Sequence, residues 1–166
     1  MPAAADDDGE RLDGLFAELA EPDRTDWQRV EAEILRSLSR SGSEAMDLLL
    51  RRGESAMEAG DYRAAVEHLT ALVDHAPDFA EGWNMRATAF YLMEEFALSI
   101  ADIERVLTLE PRHFGALSGL AAMLERLGDA RSALQVHRAA REIHPHRPEV
   151  ERAIERLERE IGGAEL

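Results

Sequence analysis

The sequence contains no cysteine, no lysine, few aromatic residues and no long apolar run. Without cysteine there is no disulfide framework, no thiolate zinc site and no cysteine nucleophile. Without a long apolar run, no membrane-spanning helix is predicted. All 19 basic residues are arginine, a bias typical of a GC-rich coding genome. Aromatic residues make up 5% of the chain, which suits a helical protein rich in alanine and leucine.

The charge of the chain is strongly one-sided. Asp and Glu number 34 against 19 basic residues, so the formal net charge is −15. Binding to nucleic acid or to an anionic membrane requires clustered positive charge, so we expect neither. A basic protein partner would be attracted instead.

The start of the sequence bears on the compartment. It has no charged segment followed by an apolar one, so it does not read as a signal peptide, and we expect a cytoplasmic protein. The alternative is a periplasmic protein, because Met1 to Ala5 followed by Asp6 to Asp8 is similar to a trimmed mature start with a methionine added back.

Three kinds of residue recur every 34 positions. They are a terminal proline (Pro77, Pro111, Pro145), a small residue (Ala65, Ser99, Ala133) and a bulkier residue (Leu69, Ile103, His137). This period and this pattern resemble the tetratricopeptide repeat (TPR) family, in particular a small bacterial member, over roughly the central two-thirds of the chain. The resemblance implies an all-α fold, a right-handed solenoid of antiparallel helix pairs.

Breaks in the apolar pattern predict that the chain is divided into four segments. They are a disordered acidic tail (1–9), a degenerate or non-TPR N-terminal helical hairpin (10–44), three repeats within 45–147 (46–79, 80–113 and 114–147), and a C-terminal capping helix and tail (148–166). The last helix is apolar on one side only, as a solenoid cap must be. Asp61 is predicted to cap the second helix of the first repeat. Asp78 and Glu81 are predicted to form a capping box at the start of the second repeat.

No residue constellation in the sequence predicts catalysis or a cofactor. The six histidines do not show the spacing of a zinc site, and we expect His137 to be a hydrogen-bonded, partly buried core residue rather than a metal ligand. No glycine-rich phosphate loop and no nucleophile elbow occur. The prediction is therefore a non-enzymatic protein without a metal or another cofactor.

The TPR resemblance implies that the first helices of successive repeats line a concave groove. Carried over by position, the candidate partner-binding residues are Asp47, Leu50, Glu54, Met57, Glu81, Asn84, Thr88 and Tyr91. The third repeat would add Gly115, Ser118, Ala122 and Glu125. The carboxylates would attract arginine or lysine, and the apolar side chains would add contact area. The hypothesis is a protein–protein adaptor that binds a basic or amphipathic peptide or helix. For each carboxylate alone, the alternative is an ordinary solvated surface.

The alternatives to this hypothesis are binding of a chaperone tail and self-association. Chaperone-binding TPR domains hold a C-terminal carboxylate with a clamp of Lys, Asn and Arg. This chain has Leu50, Glu54, Met85, Gly115 and Gly119 at those positions. Carboxylates would repel such a ligand, so we predict that no chaperone tail binds in this way. The second possibility is a structural subunit that self-associates through its N-terminal hairpin or its solenoid ends.

Two arginines depart from the family pattern. Arg52 and Arg86 stand where TPR sequences usually have leucine. They could extend along the helix pair to reach solvent, which is the favoured interpretation, or form buried pairs with carboxylates.

Overall fold

The computed structural model describes the backbone of residues 3–164 and the side chains of residues 8–163. Within that part, the chain forms nine helices and no strand, which confirms the predicted all-α class. They are α1 (Ala3–Leu19), α2 (Trp27–Leu38), α3 (Glu44–Glu58), α4 (Tyr62–His75), α5 (Ala80–Leu92), α6 (Phe96–Leu109), α7 (Phe114–Arg126), α8 (Ala130–Ile143) and α9 (Pro148–Ala164). Helices α3 to α8 form three antiparallel pairs that stack in order, and α9 packs on α8. The predicted solenoid of helix pairs is confirmed.

The ends of the repeat helices follow local sequence rules. Helices α4, α6 and α8 each end two residues before a proline of the 34-residue series, because a proline disfavours helical backbone in the residue before it. The carboxylate of Asp61 accepts a hydrogen bond from the N–H of Ala64 at 3.0 Å, as predicted. The capping box at the start of α5 is wrong. Phe79 precedes that helix without a side-chain cap, and Asp78 instead lies 3.5 Å from Arg105.

The turns within the three repeats share one backbone conformation. Gly60 and Gly128 have φ values of 75° and 80°, in the left-handed region where glycine has no steric penalty. The equivalent residue of the second repeat is Glu94, with φ of 61°. The middle repeat therefore places a strained non-glycine residue where its neighbours have glycine.

Small residues lie where paired helices cross, as the repeat pattern predicts. The set comprises Gly53, Ala65, Ala87, Ser99, Ala121 and Ala133, all buried. The tightest position is Gly53, where an added Cβ would lie 2.6 Å from Leu69 Cγ. Leu69 is itself fully buried, so this crossing has no room for a larger residue.

Helix α5 is held in the stack by a buried ion pair. The Arg86 guanidinium donates two hydrogen bonds to Asp102 on α6, at 2.7 and 2.8 Å, and lies 4.9 Å from the Trp83 ring centroid. The Asp102 side chain is 6% exposed and that of Arg86 is 15% exposed. Extension of Arg86 to solvent, the favoured interpretation, is therefore wrong, because α6 supplies a carboxylate directly opposite. Arg52 is exposed.

The N-terminal hairpin of α1 and α2 packs against the solenoid far along the chain. Its apolar side chains bury Phe114, the first residue of α7, and Ile143 at the end of α8 packs against the same cluster. The buried hairpin residues are Leu15, Phe16, Leu19, Val30 and Ile34. The hairpin thus covers the edge formed by the α6–α7 and α8–α9 connections.

Polar contacts fix the hairpin to this edge. Arg112 donates to Asp13 at 2.8 Å, and Glu31 accepts from Arg147 at 2.8 Å. His144 Nε2 lies 3.1 Å from the same Glu31 carboxylate. Burial lowers the pKa of His144, although the Glu31 carboxylate opposes this shift. These contacts join residues about a hundred positions apart, which no local pattern encodes.

The N-terminal tail predicted over residues 1–9 needs correction. Helix α1 begins at Ala3, so residues 3–9 are helical, and residues 1 and 2 lie outside the described part. Alanine has the highest helix propensity, and the backbone of Ala3 to Ala5 forms the start of this helix.

The last helix, α9, covers the C-terminal end of the solenoid. Val150, Ile154 and Leu157 of α9 are buried against Ala133 and Leu134 of α8, which confirms the predicted capping helix. Within residues 3–164, no helix combines the length and the apolar character needed to cross a lipid bilayer.

Candidate functional site

Four of the eight candidate binding residues lie on one face of α5. Glu81, Asn84, Thr88 and Tyr91 follow the spacing i, i+3, i+7 and i+10, which places them along one side of a helix. Asn84, Thr88 and Tyr91 line a cavity of about 160 Å³ between α5 and α7. These three residues therefore border a cavity, and their contact with a partner stays a prediction.

The opposite wall of this α5–α7 cavity is built from small residues. Gly115, Gly119 and Ala122 lie on the cavity side of α7 at i, i+4 and i+7. The larger α7 side chain in the lining is that of Met123, which is fully buried at the base of the cavity. Ile103 and Ser99 of α6 form part of the floor. The 34-residue pattern marks Ser99 and Ile103 only as recurring positions, and it gives Gly119 no role in a cavity wall. The signal that could have revealed the cavity is this run of small residues on one helix face.

Leu50 does not lie on the groove surface. It is 3% exposed and packs in the cluster that contains Leu69, Leu72 and Ala89. The expectation that Leu50 offers apolar contact to a partner is therefore wrong. Its neighbour Leu49 is the less buried of the two leucines, so α3 is rotated relative to the predicted orientation. Met57 is partly buried against the same cluster.

Asp47 already has hydrogen-bond partners within the chain. Its carboxylate accepts from the Ser41 N–H at 2.9 Å and from the Ser41 hydroxyl at 2.6 Å. Burial opposes ionisation of Asp47, but the hydrogen bonds from Ser41 together with the charges of Arg51 and Arg40 outweigh it and lower the pKa. This carboxylate therefore stabilises the α2–α3 connection and is less suited than the other candidates to bind a partner.

Glu81 is held in place by two donors. His113 Nε2 lies 2.8 Å from one carboxylate oxygen, and the Asn84 amide donates to the other at 3.2 Å. His113 Nδ1 accepts the Ala116 N–H at 3.1 Å. Because Nδ1 is an acceptor, the proton of a neutral His113 is on Nε2, which donates to Glu81. Histidine thus caps α7 and fixes the Glu81 carboxylate in the groove.

Glu54, unlike the candidate carboxylates Asp47 and Glu81, has no partner among the described side chains. It is partly buried on α3, and within the described part of the chain it forms no hydrogen bond or ion pair. Burial raises the pKa of Glu54, and the nearby carboxylates of Glu81 and Glu58 raise it further, against a weaker effect of Arg51. The acidic pair of Glu54 and Glu81 therefore leaves one negative charge uncompensated at this end of the groove.

An arginine stands at the other end of α5. The Arg126 guanidinium lies 5.6 Å from the Tyr91 ring centroid and 4.8 Å from that of Phe96. It also pairs with Glu94 at 3.0 Å. Tyr91 is thus covered in part by Arg126, and the concave surface runs from acidic at the start of α5 to apolar at its centre.

His137, which lies outside the groove, serves as a core polar residue. His137 is 9% exposed, and its Nε2 lies 2.8 Å from a Glu125 oxygen, as expected for a hydrogen-bonded core histidine. Among the side chains that the structure describes, no three histidine or carboxylate groups converge as metal ligands would.

Known proteins with the same kind of helical repeat resemble this chain in sequence and in fold. A tetratricopeptide repeat family model matches residues 50–93 and 86–148. A TPR repeat-containing protein of Rhizobium etli is 35% identical over 157 residues, which span 93% of this chain and 76% of that protein. The first TPR domain of Spaghetti (RPAP3), solved with the HSP90 peptide SRMEEVD, is 20% identical with a TM-score of 0.67 over 70% of this chain and 95% of that chain. The crystal structure of the MamA protein is 18% identical with a TM-score of 0.66, over 92% of this chain and 84% of that chain.

Proposed function

The chain belongs to the tetratricopeptide repeat family, whose domains are protein-interaction modules, and we propose that it binds a basic or amphipathic peptide segment in its concave groove. It acts in this proposal by binding and not by catalysis. The observation that carries the proposal is Glu54, a partly buried carboxylate without a hydrogen bond or ion pair, placed near Glu81. A cationic side chain of a partner would neutralise this charge and remove the repulsion between the two carboxylates.

The candidate residues contribute unequally to this proposal. Glu54 and Glu81 supply charge, and Asn84, Thr88 and Tyr91 supply the surface next to the cavity. Those five remain the proposed contact set, with Met57 at its edge. Asp47 has its own partners, and Leu50 is buried. The solved Spaghetti domain holds a peptide of HSP90. In this chain, Glu54 stands at a position where the carboxylate clamp would need a neutral or basic group, so a chaperone tail is not the proposed ligand.

Self-association through the N-terminal hairpin has less support than peptide binding. The apolar residues of α1 and α2 are buried against Phe114 and the α8 end within the same chain, so they are already covered in one molecule. Sedimentation of the purified protein would show a monomer if this intramolecular packing is maintained in solution.

The test uses a charge reversal that leaves the fold intact. Glu54→Arg replaces a negative by a positive charge, a change of +2 in the groove, without removing a hydrogen bond of the free protein. Glu81→Arg would also disturb the His113 cap of α7, so it is the weaker test. In affinity capture at low salt followed by mass spectrometry, Glu54→Arg should reduce recovery of the partner about tenfold.

The matched control is Glu67→Arg on α4. Glu67 is exposed, and its reversal changes the net charge by the same amount outside the first helices that line the groove. The proposal expects Glu67→Arg to capture the partner like the wild type. Equal recovery with wild type, Glu54→Arg and Glu67→Arg would contradict the assignment of the groove.

A further inference from the structure

The α5–α7 cavity has the size of one apolar side chain. Its volume is about 160 Å³, and an apolar cavity of about 150 Å³ in a protein core accommodates benzene. One aromatic ring or one branched aliphatic group would therefore fill it. A helix face, which presents several apolar residues in a row, would need a continuous apolar groove instead.

The polar groups around the cavity are largely engaged within the protein. The Ser99 hydroxyl donates to the Ala87 carbonyl at 2.7 Å, and the Thr88 hydroxyl donates to the Asn84 carbonyl at 3.0 Å. The Asn84 amide donates to Glu81. A polar side chain entering the cavity would lose its hydrogen bonds to water and find few new ones, which is unfavourable. The chemistry of the lining therefore favours an apolar group.

The cavity exists because α7 omits side chains that α5 has. Gly115, Gly119 and Ala122 are the 34-residue equivalents of Glu81, Met85 and Thr88. Met85 fills the corresponding space beside α3, where it packs against the Leu50 cluster. At Gly119 an added Cβ would lie 3.5 Å from Ile103 Cδ1, an ordinary contact, so packing between the helices does not require glycine there.

Glu81 lies a short distance from the cavity on the same face of α5, and Glu54 of α3 is near enough to interact with it electrostatically. Glu81 precedes Thr88 by seven residues, which is roughly 10 Å along an α-helix. An extended peptide covers that distance in about three residues. A cationic residue and an apolar residue about three positions apart would therefore reach both features together.

We propose that the α5–α7 cavity is a specificity pocket that receives one aliphatic or aromatic side chain of an extended partner segment, while Glu54 and Glu81 receive an arginine or lysine about three residues away. This inference rests on the proposed function, since it names the ligand of the same groove. It predicts that the groove selects segments with an apolar residue at a fixed distance from an arginine or lysine. Charge attraction alone would select any segment with net positive charge.

The test uses a defined probe, a random dodecapeptide library displayed on phage and selected with the full chain at low salt. Selected peptides should share one Leu, Ile, Met or Phe at a fixed spacing from an Arg or Lys. A synthetic copy of the best peptide should bind Gly119→Leu, whose side chain fills the cavity, more than tenfold more weakly than the wild type. Replacing the apolar residue of the peptide by Ala should cost a similar factor with the wild type and little with Gly119→Leu, because the two changes remove the same contact.

Two variants control for effects on folding. Gly14→Leu makes the same substitution on α1, where an added Cβ meets no atom within 4 Å, and it should bind the peptide like the wild type. Gly119→Ala fits beside Ile103 and should give a smaller loss, about threefold, with no loss of melting temperature, since alanine favours helix over glycine.

The outcomes separate this inference from the function it rests on. Basic peptides without a shared apolar residue, or equal binding to the wild type and Gly119→Leu, would overturn the pocket and leave the groove proposal intact. Selected peptides whose binding is unaffected by Glu54→Arg would overturn the pairing with the acidic pair. A library that yields no peptide would overturn both proposals.

Discussion

The junctions α3–α5 and α5–α7 share helix α5, yet they present opposite surfaces. At α3–α5, burial and the nearby carboxylates of Glu81 and Glu58 raise the pKa of Glu54, and Met85 packs into the core beneath. At α5–α7 the wall is Gly115 and Gly119, and the space is an open apolar cavity. One repeat architecture thus supports a closed, charged junction and an open, uncharged one.

The difference shows how a repeat protein can vary its groove without changing its core. The crossing positions inside each helix pair are small in all three repeats, and they set how the helices approach. The groove positions are free of that constraint and differ at every equivalent residue. Function in this family member is therefore expected to depend on residues that the repeat pattern itself does not specify.

The largest effect on the unfolding free energy should come from the Arg86–Asp102 ion pair, which joins α5 to α6. Arg86→Ala leaves Asp102 buried without its partner, and loss of one member of a buried pair typically costs about 3–5 kcal/mol. Both junctions should then loosen together, because both are built on α5. Urea denaturation followed by circular dichroism would measure the loss of unfolding free energy.

A double variant is the control for this prediction. Arg86→Leu combined with Asp102→Leu removes both charges and should recover most of the stability lost in Arg86→Ala. If Arg86→Ala and the double variant were equally destabilised, the loss would reflect packing alone and not an uncompensated charge on Asp102.

The next largest effect on stability comes from a comparison of the same glycine-to-alanine substitution at a tightly packed position, Gly53, and at an open position, Gly119. Gly53→Ala would place a Cβ 2.6 Å from Leu69 Cγ. Overpacking costs about 1–3 kcal/mol, which exceeds the helix-propensity gain of about 1 kcal/mol. Gly119→Ala meets only an ordinary contact and should gain up to about 1 kcal/mol.

The two alanine variants should therefore shift the melting temperature in opposite directions. Each is the control for the other, because the chemical change is the same. A stabilised Gly53→Ala would show that Leu69 can move aside, and a destabilised Gly119→Ala would show that the cavity is closed in solution.

The 34-residue period predicted the helix pairs because prolines and small crossing residues act locally. The side of α5 that packs on its partner helix was also predictable, since Ala87 is one of the small residues at the helix crossings. The orientation of α3 was not, because Leu49 and Leu50 are adjacent leucines. They differ by about 100° around the helix, and periodicity does not choose between them.

Contacts between distant residues were beyond any local pattern. The packing of the N-terminal hairpin depends on Phe114 and on pairs such as Asp13 with Arg112. Histidine is also not among the preferred N-cap residues, so the cap by His113 gave no sequence signal. The cavity depends on missing side chains opposite α5, which a search for chemically active residues overlooks.

A smaller effect on the unfolding free energy should depend on pH, and it should arise from Glu54 at the charged α3–α5 junction. The pKa of Glu54 is raised in the folded state, so ionised Glu54 destabilises the fold at neutral pH. As pH falls through this raised pKa, the folded protein takes up a proton more readily than the unfolded chain does, and the penalty disappears. Glu54→Gln should therefore stabilise the protein at pH 7 by less than about 1 kcal/mol and have no such benefit at pH 3.

The measurement is a pair of urea titrations at the two pH values, with Glu67→Gln as the control. Glu67 is exposed on α4, so its neutralisation should change stability little at either pH. A Glu54→Gln variant that is less stable than the wild type at pH 7 would show that the carboxylate has a partner in solution, and the charged junction would lose its distinguishing feature.

The smallest effect concerns Glu94, which stands at the end of the open junction where the other repeats have glycine. Glu94→Gly relieves a left-handed backbone worth about 1–2 kcal/mol. It also adds the unfolded-state entropy of glycine, about 0.5–1 kcal/mol, and removes an exposed pair with Arg126 worth up to about 1 kcal/mol. These terms nearly cancel, so the unfolding free energy should change by less than about 0.5 kcal/mol.

In an Arg126→Ala background the ion pair is already absent, so Glu94→Gly should become clearly stabilising. The difference between the two backgrounds is the coupling energy of the pair. A coupling of zero would mean that the strained turn is not maintained by Arg126, and that the arginine over Tyr91 is positioned by its aromatic contacts alone.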